Sequence, residues 1–80
     1  MTKRIAGKIF EFPVVIEKDE HGYFASCPIL QGCYTQGETY EEVFENLKDA
    51  IELHIKDRIE AKEEIPSVQN VALTTIRVRA

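Results

Sequence analysis

Two cysteines, Cys27 and Cys33, and two histidines, His21 and His54, are the residues from which nucleophilic or metal chemistry would have to be built. A thiol nucleophile needs an imidazole within hydrogen-bond reach and surroundings that lower its pKa. His21 follows a charged run and precedes a glycine, which is the setting of a turn, while His54 falls on or beside an apolar helix face. No CxxC pair occurs, and the histidines stand at spacings unrelated to a zinc site. The expectation is two buried, reduced thiols, with no disulfide, metal or cofactor. Carboxylate chemistry would need acids converging from separate elements. Here Glu17, Asp19 and Glu20 crowd one strand end and the other acids follow a helix, so solvated charge explains both groups. A Walker A motif, a dinucleotide-binding glycine pattern and a G-x-S-x-G turn are all missing from the sequence. No catalytic residue is therefore assigned.

The elements that would position these side chains follow from hydrophobic period. Ile9, Phe10, Phe12, Val14, Val15 and Ile16 predict a first strand over about 9–17. Pro13 has no N–H to donate, so the regular part of that strand belongs after it. Lys18-Asp-Glu-His-Gly22 is a polar break leading into a second strand, about 22–27, which makes a hairpin with Gly22 at a positive φ. Pro28 ends that strand, and Ile29 to Gly32 connect it to a third, about 33–37. From Thr39 the period changes to that of an amphipathic helix, about 40–62. Val43, Leu47, Ala50, Ile51, His54 and Ile55 share one face, with Phe44 and Ile59 at its margin. Glu41, Glu45, Asp49, Glu52 and Lys56 lie opposite. Thr39 and Glu42 have the spacing of a capping box. Ile76 and Val78 alternate with Arg77 and Arg79 in a last strand, about 72–79.

One helix on one face of a four-stranded, mainly antiparallel sheet is a two-layer α+β domain with the order βββαβ. The last strand is expected beside the first, giving a spatial order 3-2-1-4. Residues 1–80 make a single domain, in the size range where self-association often supplies extra burial. A homodimer or tetramer is expected. With 44% hydrophobic and 30% charged residues the composition is globular. No run is long enough to cross a membrane, and the start lacks the apolar stretch of a signal peptide. A cytoplasmic location is the expectation.

Charge narrows the partners. All fourteen acids fall between Glu11 and Glu64, whereas the ends carry only Lys3, Arg4 and Lys8 in front and Arg77 and Arg79 behind. An acidic body repels a phosphate backbone and attracts a basic protein. An alternative is a dimeric nucleic-acid-binding transcriptional regulator that uses its basic termini.

Phe12-Pro-Val-Val-Ile-Glu-Lys-Asp-Glu-His-Gly-Tyr23, then Cys27-Pro-Ile-Leu-Gln-Gly-Cys33, Thr35-Gln-Gly-Glu-Thr39, the helix from Glu42 through Ile51, and Ile65-Pro66 follow one another in a specific order. Together they resemble the HicB-like antitoxins, including the short UPF0150-like proteins grouped with them. The signature positions are Gly22, Tyr23, Pro28, Gly32, Cys33, Gly37, Thr39 and Glu42. The resemblance implies a degenerate RNase H-like fold without catalytic carboxylates. It also implies a small basic toxin partner of the HicA type, which cleaves messenger RNA and is neutralised by protein contact. Glu17, Asp19 and Glu20, with the acidic helix face, are the expected contacts for that partner. Many such antitoxins carry a C-terminal DNA-binding domain, for which the sequence ending at Ala80 leaves no room, so DNA binding by this chain alone is not expected.

Overall fold

The computed structural model describes residues 9–67 and 71–80. Three strands, β1 (Val15–Asp19), β2 (Gly22–Ser26) and β3 (Tyr34–Gly37), precede one helix, α1 (Tyr40–Glu60). They form an antiparallel sheet in the order β1-β2-β3, and α1 packs over β2 and β3. The architecture is α+β, as the change of period predicts.

Regular pairing begins only after Pro13. Val15 stands opposite Ser26 and Asp19 opposite Gly22, so the hairpin loop is just Glu20 and His21. Residues 9–14, expected within the first strand, are not in the sheet, since a proline cannot donate to a ladder. Gly22 turns the chain at φ 131°, and a Cβ there would stand 3.0 Å from the Gly37 carbonyl oxygen. Both reasons demand glycine.

The link from β2 to β3 contributes to the core as well as to connectivity. The Cys27 N–H donates to Cys33 O, Leu30 N–H to Cys27 O and Cys33 N–H to Leu30 O, all at 3.0–3.1 Å. These bonds satisfy the loop's own backbone. Pro28 leads into the loop, Gly32 supplies its left-handed residue at φ 78°, and Leu30 is driven inward to 1% exposure. Leu30 joins Ala25, Cys27, Cys33, Val43 and Leu47 in the buried core. Phe12, Ile16, Tyr23, Ile29, Ala50, Ile51 and Ile55 surround them, half-buried.

Thr39 caps α1: its Oγ1 accepts from the Glu42 N–H at 3.0 Å, and the Thr39 carbonyl takes the first helical bond from the Val43 N–H. The Glu42 carboxylate accepts from the Glu38 N–H. The expected capping box is therefore formed with Glu38, the residue before the cap, as the reciprocal donor. The helix stops at Glu60 rather than at residue 62. Glu63 N–H donates to Arg58 O and Lys62 N–H to Ile59 O, a Schellman closure that forces Lys62 to φ 59°.

The fourth strand is the principal correction. Described residues form three strands, and 71–80 have no regular secondary structure and no place in the sheet. The predicted order 3-2-1-4 therefore lacks its last member, and the four-stranded, RNase H-like description is not reached. Leu73, Ile76 and Val78 are 90%, 84% and 78% exposed. Their hydrophobic alternation creates strand propensity, but among the described residues no strand pairs with them.

Candidate functional site

The three acids singled out for partner contact lie at one end of the sheet, but they do not converge. Glu17 stands opposite Phe24 and Lys18 opposite Tyr23, so Glu17 and Asp19 share the face turned away from Lys18, while Glu20 occupies the turn. Asp19 has a structural task, because its Oδ1 accepts from the His21 N–H at 2.7 Å and shapes the hairpin. Glu20 lies 3.7 Å from His21 Nε2, with both side chains well exposed. Glu17 and Glu20 are the exposed members left to meet another molecule.

The sheet brings a second acidic group to the same end. Gly37 pairs with Tyr23, one position from the hairpin, and the chain enters α1 three residues later, at Tyr40. Glu38 and Glu42 are therefore brought to His21, and Glu41 and Glu45 lie in the first two turns of the same helix. A shallow concavity between hairpin and helix start is lined by His21, Tyr23, Phe24, Gln36, Glu38 and Asn46. Asn46 Nδ2 donates to Gln36 O at 3.0 Å and ties helix to sheet.

Gly37 makes this junction possible. A Cβ at that position would lie 2.8 Å from Val43 N and 3.0 Å from Val43 Cα, both backbone atoms. Close approach rather than a left-handed turn is the reason for this glycine, since its φ is not positive. Periodicity does not reveal Asn46 or the packing of Gly37, because both depend on where the helix lands on β3.

Beside the acids runs an aromatic strip. The Tyr23 and Tyr40 rings meet edge-on at 6.4 Å between centroids, and Tyr40 stacks on Phe44 at the same distance. Lys18 Nζ sits 5.7 Å from the Tyr23 centroid. Tyr40 and Phe44 are half-exposed, at 50% and 45%. Large aromatic surface bordered by charge is the composition of protein interfaces. The i,i+4 spacing of Tyr40 and Phe44 is the sequence signal for this strip.

Nucleophilic chemistry finds little support in the geometry. Both thiols are free and buried. Burial pushes the Cys27 thiol up against the opposing effect of the Ile29 and Leu30 backbone, and burial with the neighbouring Cys27 pushes Cys33 up. His21 is exposed in its hairpin, and His54 is half-buried on α1. Among the described residues, no group of three or more His, Cys, Asp or Glu side chains is placed to hold a metal ion. Nor is any described helix long and apolar enough to cross a membrane. Signature residues Gly22, Tyr23, Gly37, Thr39 and Glu42 gather around the acidic junction, while Pro28, Gly32 and Cys33 build the loop that carries Leu30. Lys3, Arg4 and Lys8 lie outside the described residues; Arg77 and Arg79 are exposed.

Residues 12–77 match the family model described as HicB_like antitoxin of bacterial toxin-antitoxin system. A UPF0150 protein of Helicobacter pylori strain J99 is 59% identical over 49 residues, covering 61% of this chain and 67% of its own. Another from Synechocystis is 40% identical over 65 residues, covering 79% and 94%. One from Archaeoglobus fulgidus is 36% identical over 70 residues, covering 86% and 96%. No solved structure matches significantly.

Proposed function

Because this chain belongs to the HicB-like antitoxin family, we propose that it is a non-catalytic antitoxin that neutralises a small, basic, mRNA-cleaving toxin of the HicA type by direct contact. Acting as one domain over residues 1–80, it works in the cytoplasm and self-associates as a homodimer or tetramer. Family membership implies a toxin in general. The observation that carries the choice of a basic toxin is the junction where Glu38 and Glu42 line one concavity with His21 and Tyr23, next to the half-exposed rings of Tyr40 and Phe44. Carboxylates gathered at one end steer a cationic partner, and Tyr40 and Phe44 supply apolar contact once it docks.

Charge reversal tests this reading. Glu17→Lys, Glu20→Lys and Glu41→Lys alter exposed side chains that no cap or turn uses. Together they should weaken binding to the product of an adjacent small basic reading frame by about tenfold or more, mainly in association rate and most at low salt. Unchanged affinity in a folded triple variant would show that the toxin docks elsewhere. Asp19 is left out because its carboxylate holds the hairpin.

A further inference from the structure

A groove of about 860 Å³ opens on the side of α1 nearer the start of the chain, between residues 10–14 and the helix. Its floor is apolar: Phe10, Phe12 and Val14 face Phe44, Ile51 and Ile55. The groove is lined by Val14, the residue before β1, and among the described residues β1 pairs only with β2. The chain thus offers an apolar trough beside a strand edge.

It also offers a strand without a sheet. Residues 71–80 are exposed and belong to no strand of the sheet, with Ile76 and Val78 alternating in sequence with Arg77 and Arg79. The radius of gyration is 15.5 Å, whereas a compact chain of this length is expected near about 12 Å. The longest extent is 58 Å, against 28 and 19 Å across. In this elongated chain Leu73, Ile76 and Val78 remain exposed. Half-buried Ile65 and Pro66, with the Arg58 Nη1 bond to Glu64 O, fix the exit after the helix.

We propose that the groove receives residues 71–79 of a second copy, which add as a strand beside β1 while that copy's groove receives the same residues in return. This deepens the self-association within the proposed function and rests on that part of it, but it does not depend on the toxin. Reciprocal exchange is a low-cost route to a closed, two-fold dimer, because each arm makes with its partner the contacts the fold would otherwise make within one chain. Two nine-residue arms, each buried with the groove around it, remove on the order of 1,600 Å² from water, the scale of a stable interface. Ile76 and Val78 would enter the trough, and Arg77 and Arg79 would stay on the solvent side.

Mass measurement of the full chain by light scattering should give twice the 9.2 kDa of one copy. Ile76→Asp with Val78→Asp should return a monomer with unchanged helical circular dichroism, because these positions are exposed in the single chain. In a mixture of isotope-labelled and unlabelled chains, the Ile76 and Val78 methyl groups should show intermolecular NOEs to Phe10, Phe12 or Phe44 rings. A dimer that survives the double substitution would overturn this surface while leaving self-association standing; a wild-type monomer would overturn both. NOEs confined to one chain would assign the groove to the chain's own arm. A groove filled only on addition of the toxin would assign it to that partner. Either result overturns the exchange.

Discussion

Substituting Gly37 by alanine places one methyl group where β3 passes under the helix start. The added carbon would stand 2.8 Å from Val43 N and 3.0 Å from Val43 Cα, and 3.1 Å from the Glu42 carboxylate that caps Glu38. The carboxylate can swing away; the backbone of Val43 cannot, because that residue is fully buried and its N–H makes the first helical bond. Relief requires the helix start to move off β3, loosening Val43 in the core and the Asn46 bond to Gln36. Overpacking of this kind costs about 1–3 kcal/mol. Total stability for 80 residues is on the order of 4–12 kcal/mol, so the loss is a substantial fraction of the whole. A melting temperature lower by about 5–20 °C should result. Gly32→Ala is the control, since it has φ 78° and no heavy atom within 4 Å of the added carbon, and its cost should be only that of a left-handed alanine, about 1–2 kcal/mol. Urea midpoints of both variants read these effects. An unchanged midpoint for Gly37→Ala would refute the close-approach argument.

Thr39→Ala should cost about 1 kcal/mol in urea unfolding by releasing the Glu42 N–H, and an unaltered midpoint would contradict the cap. Lys62→Gly should stabilise by about 0.5–1 kcal/mol, because glycine accepts the left-handed closure that lysine resists; a lower midpoint would mean that Lys62 makes compensating contacts. Since folding raises both thiol pKa values, their contribution is complete below the ordinary thiol value and is lost as pH rises through the folded values. The urea midpoint should therefore fall in that alkaline window, and fall less in a Cys27→Ala/Cys33→Ala variant; equal falls would remove the thiols from the account.

The hairpin, the capped helix and most of its buried face were legible because each rests on local pattern. Gly22 follows a polar break, Thr39 and Glu42 have cap spacing, and Val43, Leu47 and Ile51 repeat at helical period. The fourth strand shows the limit of that logic. Residues 72–79 have every local mark of a strand, but a strand is completed by an edge to pair with, and alternation does not say whose edge. Leu30 shows the converse: a residue read as part of a short connection is among the most buried, because three loop hydrogen bonds fold it inward. At the acidic end, the sequence supplied Glu17, Asp19 and Glu20 as one group. The geometry separates Asp19, engaged in its turn, and adds the helix start with Tyr40 and Phe44, neighbours only because β2 and β3 pair.

Inhibition of RNA cleavage is the most direct test of the central claim. The purified full chain is titrated against the ribonuclease activity of the small basic protein encoded beside it, with complex formation followed by co-elution. Cleavage should fall to background near stoichiometric addition, with the two proteins eluting together. Undiminished cleavage in an excess of folded chain, with no co-elution, would contradict the account.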